Sequence, residues 1–161
     1  MLYLITLGSD STATAGLIYI LCEKLFNELN MQPKTHHSCL LLNQLRSVLK
    51  DNTFVPNSVK DICSRLLVTC YMATNQSTIE SKQRAKAFAS EIGCLFYESN
   101  IQSICDEVIA TVSNSLNIAH PKFAVYGGSV NEDISLQNVQ ARVRNISAYA
   151  PALQTFSAAS E

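Results

Sequence analysis

Short apolar runs alternate along this chain with longer stretches of helical period. Residues 2–6 form a strand-length apolar run. Behind it, Leu17, Ile18, Leu21, Leu25 and Leu29 recur at the spacing of one helix face. A helix over residues 12–29 follows, with Ser11 or Asp10 as its N-cap. A polar break with Pro33 occupies 30–38, and 39–49 returns to helical period. Residues 51–58, with Pro56, read as a loop, and 59–66 as a short helix with Asp61 in its early turns. The run 67–72 is apolar, β-branched and aromatic without a charge, which predicts a strand buried on both faces. Residues 74–78 are a polar turn, and a helix from Thr78 closes at Gly93. A third strand is predicted at 94–98, a helix at 101–116, and an irregular segment with Gly127-Gly128 at 121–129. The last amphipathic helix covers 134–149, and Pro151 should end or kink it. Residues 155–161 are small and polar and should fray.

Strands that alternate with helices predict a three-layer α/β fold with right-handed crossovers. The runs 2–6, 67–72 and 94–98 would be adjacent parallel strands. Ligands of such sheets sit beyond the carboxyl ends of the strands. Here those ends are the Gly8-Ser9-Asp10 turn, the Thr74-Asn75-Gln76-Ser77 turn and the loop near Ser99.

With 161 residues the chain has the length of one domain. Its composition, 47% hydrophobic and 16% charged, is that of a folded chain. A net charge of -1 gives no basic excess for nucleic acid or an anionic membrane, so any phosphate site must rely on local groups. The N-terminus lacks a basic leader. No apolar run reaches the roughly 20 residues of a membrane span, and a cytoplasmic protein is expected. Six cysteines, with no C-x-x-C pair and mostly inside apolar runs, read as reduced, buried small hydrophobes. His36-His37 with Cys39 is spaced too tightly for a metal-ligand set and reads as surface loop.

Two segments carry candidate chemistry. Gly8-Ser9-Asp10-Ser11, between a strand and a helix, can offer backbone N–H groups and a helix N-terminus to a phosphate. An acid there can help hold magnesium. The same four residues serve equally well as a helix cap in a structural loop. In the second segment, Asn138 and Arg142 are four apart and share a helix face, with Gln137, Gln140 and Arg144 within reach of that side. Amides and guanidiniums so placed can hold a carboxylate or phosphate bidentately, or form a solvated helix face.

Both segments resemble the synthetase domain of glutamine-dependent NAD synthetase, in the ATP pyrophosphatase superfamily. Ile5-Thr6-Leu7-Gly8-Ser9-Asp10-Ser11 is similar to that family's Leu-Ser-Gly-Gly-x-Asp-Ser loop. Residues 65–77 look like its second strand and hydroxyl-rich turn, followed by the helix 84–93. Residues 131–144 are similar to its Glu-Asn-Leu-Ala-Leu-Gln-Asn-x-Gln-Ala-Arg-x-Arg signature, and the resemblance covers nearly the whole chain. Another ATP pyrophosphatase, such as a GMP synthetase, would leave 131–144 unexplained.

The resemblance implies a Rossmann-like, adenine nucleotide alpha hydrolase-like fold with a parallel sheet, truncated. It implies a partial synthetase domain over 1–161, with the glutaminase domain absent. It also implies a reaction in which ATP adenylates deamido-NAD, pyrophosphate leaves, and ammonia attacks the acyl adenylate. Carried over by position, Leu4, Ile5, Thr6, Leu7, Gly8, Ser9, Asp10 and Ser11 would bind ATP, with Thr6 catalytic and Asp10 on Mg2+. Asn138, Arg142 and Arg144 would hold deamido-NAD. A homo-oligomer or a glutaminase-domain partner is implied as well. Two departures stand out. Thr6 replaces the family's Ser and keeps a hydroxyl, whereas Leu7 replaces its first Gly and puts an isobutyl group where the backbone must approach phosphate. The second reading is therefore a degenerate chain that folds without catalysing and at most pairs with a full-length subunit.

Overall fold

The charge-free run in the middle of the chain forms the centre of a parallel sheet. The computed structural model describes the backbone of residues 3–6, 9–30 and 36–158, and side chains over 11–30 and 36–149. The elements are β1 (Tyr3–Thr6), α1 (Ser9–Asn30), α2 (His36–Leu49), α3 (Val59–Leu66), β2 (Leu67–Ala73), α4 (Ile79–Ile92), β3 (Leu95–Asn100), α5 (Gln102–Leu116) and α6 (Val130–Ala158). A single 3-10 turn, Ala124–Tyr126, precedes α6. The sheet order is β1-β2-β3 and both pairings are parallel. Tyr3 lies opposite Leu67, and Val68 opposite Leu95. The three expected strands are thus adjacent and parallel.

Successive β2 side chains point to opposite faces, so one strand addresses two helical layers. Leu67 packs with Ala15 of α1 and Ile92 of α4. On the same side, Tyr71 shares a hydrogen bond with Ser81 of α4. Cys70 and Met72 point the other way, into a cluster with Ile101, Cys105 of α5 and Val143 of α6. Thr69 is buried, and its hydroxyl donates to the Leu95 carbonyl at 3.0 Å. This arrangement is the three-layer parallel α/β fold that the alternation predicts, and it agrees with the Rossmann-like fold that the resemblance implies. A further cluster joins α1, α2 and α3 through Cys22, Leu29, Leu45, Ile62 and Cys63.

Local chemistry sets the helix ends. Ser58 Oγ accepts from the Asp61 N–H at the start of α3, and Thr78 Oγ1 from the Ser81 N–H at the start of α4. Gly93 ends α4 in the left-handed region, φ 75, and a Cβ there would lie 2.6 Å from Lys60 Cβ. Gly93→Ala should therefore cost about 1–2 kcal/mol, from the positive φ together with displacement of Lys60. Thermal unfolding that leaves the midpoint unmoved would contradict that geometry.

Four expectations are corrected. α1 begins at Ser9, so Asp10 and Ser11 lie in its first turn and are not its caps; an acid in a first turn complements the helix dipole. His36 and His37 are exposed but open helix α2; they are not a loop. α6 begins at Val130, four residues before the expected start. There the Ser129 N–H donates to Glu132 Oε2 at 2.7 Å and the Glu132 N–H to Ser129 Oγ at 3.3 Å, a reciprocal cap. α6 also continues past Pro151 to Ala158, in a stretch where Ala148, Ala150 and Ala152 favour helix.

The cysteine reading holds for most of the set. Cys22, Cys63, Cys70 and Cys105 are buried, Cys94 is half-buried, and Cys39 is exposed on α2. Burial pushes the Cys70, Cys94 and Cys105 thiols up. The hydrogen bond with Cys22, and then burial, push Cys63 up. A water-soluble maleimide at neutral pH should therefore label Cys39 first and reach the four buried thiols only on unfolding. Peptide mapping that found Cys70 or Cys105 labelled as fast as Cys39 would overturn this order.

Candidate functional site at the carboxyl edge of the sheet

β1 passes into α1 with only Leu7 and Gly8 between them. Both lie outside the described residues, as do the side chains of Leu4, Ile5, Thr6, Ser9 and Asp10. The backbone on either side is described. Thr6, the last residue of β1, pairs with Cys70. β2 and β3 continue side by side to Ala73 and Asn100, about 10 Å further at the usual strand rise. β1 therefore stops short of the ends of its neighbouring strands, and α1 starts three residues after its last residue. The first N–H groups of a helix lack intrahelical partners, and a helix that starts right after a parallel strand can offer them to an anion.

The two other turns on this edge hold themselves together. The Thr74 N–H donates to Ser77 Oγ and the Ser77 N–H to the Thr74 carbonyl, each at 2.9 Å. With Thr78 committed to the α4 cap, the Ser77 and Thr78 hydroxyls both serve the backbone, while Asn75 and Gln76 are exposed. Across the edge, Asn100 Oδ1 accepts from the Gln102 N–H. Gln102 Oε1 accepts from the Asn75 N–H at 2.9 Å, and Gln102 Nε2 donates to Asp106 at 2.7 Å. The β3–α5 loop is thereby tied to the β2–α4 loop, a link that a separate reading of the two loops in sequence does not reveal.

α6 divides the second group of candidates. Leu136, Gln140 and Val143 are buried against the sheet side. Asn138 and Arg142 point outward together, exposed, with no hydrogen bond or ion pair among the described residues. Arg144 lies on the flank, half-buried, where its charge favours the Cys105 thiolate against the larger effect of burial. Gln137 is held by Asp133, at 2.7 Å. Gln140 is thus separated from the Asn138–Arg142 strip. The Glu132 carboxyl, at the head of the helix, is held below its usual range by its bonds from Ser129 and from the Lys122 N–H. Among the described residues no group of three His, Cys, Asp or Glu side chains could hold a metal ion. No helix there is long and apolar enough to cross a membrane.

With this geometry in hand, comparison with known proteins is specific. No protein-family model matches the chain. It is 35% identical over 142 residues to the glutamine-dependent NAD(+) synthetase of Homo sapiens and 34% to that of Bos taurus, covering 88% of this chain and 19% of each relative. The Drosophila melanogaster protein of the same name is 30% identical over the same share of this chain and 17% of its own. A crystal structure of a glutamine-dependent NAD(+) synthetase from Cytophaga hutchinsonii superposes with a TM-score of 0.65 at 26% identity, over 89% of this chain and 23% of that one. The chain spans about one fifth of the length of the curated relatives that it matches. Over 88% of its sequence, this chain is a homologue of the glutamine-dependent NAD(+) synthetases, which are ligases.

Proposed function

We propose that the chain supplies the nucleotide-loop part of an ATP-dependent carbon–nitrogen ligase unit, one that amidates deamido-NAD to NAD through an acyl adenylate. The observation that supports this reading is the short passage from β1 into the N-terminus of α1, beside the central parallel strand β2. In it, the backbone of 6–11 would hold the ATP phosphates, with the Thr6 hydroxyl on the reacting phosphate and the Asp10 carboxylate on Mg2+. Magnesium is commonly bound by one or two carboxylates plus phosphate oxygens, so a lone Asp at the loop is a sufficient protein ligand. The bound ion would offset phosphate charge as pyrophosphate leaves. Asn138, Arg142 and Arg144 would hold the dinucleotide, and ammonia would come from glutamine through a glutaminase partner.

Calorimetric titration with MgATP, followed by an NAD-formation assay with deamido-NAD, MgATP and ammonia, tests the reading. Saturable binding that weakens in Asp10→Asn is expected. No binding at millimolar nucleotide would refute it.

A second reading, a catalytically silent subunit that only associates, has its own support. Leu17, Ile20 and Leu21, at helical spacing on one side of α1, are 63%, 46% and 64% exposed. Apolar exposure of that kind marks association surfaces. Sedimentation of a stable oligomer that binds no MgATP would favour this reading over the first.

A further inference from the structure

Cys22 of α1 and Cys63 of α3 are hydrogen-bonded to each other where the two helices pack. They lie in one core cluster with Leu29, Leu45 and Ile62, and are 3% and 0% exposed. The bond lowers the Cys22 thiol against the effect of burial and raises that of Cys63. The other thiols stand differently. Burial pushes Cys70 up, Cys94 Sγ shares a hydrogen bond with Thr69 Oγ1 at 3.3 Å, and Cys39 is exposed.

A disulfide needs two Cβ atoms that face each other at about 3.8 Å. Two thiols already in contact across packed helices are close to that requirement. α3 runs directly into β2, and α1 follows β1 after two residues. A bond between the two helices would therefore tie the first strand–helix unit to the central strand.

We propose that Cys22 and Cys63 are a redox pair that closes to a reversible intramolecular disulfide when the chain meets a hydroperoxide. The smallest hydroperoxide meets Cys22 first, since Cys63 has no exposure. The Cys22 thiolate attacks one peroxide oxygen, and the O–O bond breaks. The leaving hydroxide takes the proton that Cys22 gave up and departs as water. Cys22 is then a sulfenic acid. The Cys63 sulfur attacks the Cys22 sulfur, and the displaced hydroxyl leaves as a second water with the Cys63 proton. Two thiols have lost two electrons and two protons, and one hydrogen peroxide has become two waters. A thiol reductant reverses the bond by exchange. The inference stands on the two thiols alone and does not depend on the ligase reading.

Treatment of the reduced full chain with a slight excess of hydrogen peroxide at neutral pH tests it. The chain is then denatured, its free thiols are alkylated, and its peptides are mapped without reductant. Free thiols should fall by two from six, and one linked pair of peptides should carry Cys22 and Cys63. The bond closes a loop of about forty residues, so the thermal unfolding midpoint should rise by roughly 10 °C and return with dithiothreitol. Cys22→Ala should lose the rise, whereas Cys39→Ala should keep it. If Cys22→Ala fails to fold, Cys22→Ser, closer in volume, should show the same loss, and the peptide map of the parent decides by itself. A linked pair of Cys63 with Cys94, a bond between chains through Cys39, oxidation of Cys22 beyond sulfenic acid without a linked pair, or six free thiols after treatment would each overturn the proposal. So would a midpoint that fails to rise, or a rise that survives in a folded Cys22 variant.

Discussion

Replacing Ile101 with alanine should destabilise the chain by about 3 kcal/mol, on the scale of buried Ile-to-Ala changes. Ile101 is completely buried, at the junction of β3 and α5. Its side chain packs with Cys70, Met72, Cys105 and Val143, so it touches the central strand and both helices of that layer. Its backbone is equally committed, the N–H to the Ala73 carbonyl at 2.9 Å and the carbonyl to the Cys105 N–H at 3.1 Å. Alanine keeps those two bonds and removes only the packing, so the change isolates the cavity. Domains of this size are stable by only about 5–15 kcal/mol, so the loss is a large share of the total. Urea unfolding should show a lower midpoint at an unchanged slope. Amides of α5 and α6 should exchange faster than those of α2. Ile79→Ala, at a position 74% exposed, is the control and should stay within about 0.5 kcal/mol. An Ile101→Ala midpoint equal to that control would mean that α5 and α6 are not anchored through this residue.

The elements most legible in the sequence are those whose local chemistry and burial agree. The run 67–72 could hardly be anything but an inner strand, because a charge-free β-branched segment is satisfied only with both faces covered. α4 was bracketed by Thr78 and Gly93, both of which act as its caps. The start of α6 is less legible because its apolar period is plain only from Ile134, although Ser129-Val130-Asn131-Glu132 spells a reciprocal cap.

The candidate site was less legible for a different reason. A spacing of four puts Asn138 and Arg142 on one face but does not say whether that face is inside or outside. The buried Leu136, half-buried Val139 and buried Val143 decide it, and they carry Gln140 inward. Those apolar positions recur at helical spacing in the sequence, and Gln140 falls on their face while Asn138 and Arg142 do not. The tie from Asn75 to Gln102 joins residues 27 apart in sequence and exists only because β2 and β3 pair in parallel.

Changing Leu7 to glycine should tighten MgATP binding about tenfold, which corresponds to about 1.4 kcal/mol. The argument rests on how little chain is available. β1 ends at Thr6 and α1 begins at Ser9, so residue 7 is half of the connection. A loop that cradles phosphate works by close approach of backbone N–H groups, and a leucine Cβ and isobutyl group occupy the volume the phosphate needs or push the turn into another shape. Glycine removes that volume and widens the accessible φ, at a cost to folding of up to about 1 kcal/mol from the more flexible unfolded chain. The two effects have opposite signs, and this makes the experiment decisive. Without nucleotide, Leu7→Gly should melt slightly lower than the parent. With saturating MgATP, it should gain more in melting temperature than the parent does, because ligand that binds only the folded state stabilises in proportion to occupancy. Leu7→Ala, which keeps the Cβ, should recover only part of the affinity. Calorimetry that finds the glycine form binding no better than the parent would show that this junction is a structural turn, and the ligase reading would lose the site on which it depends.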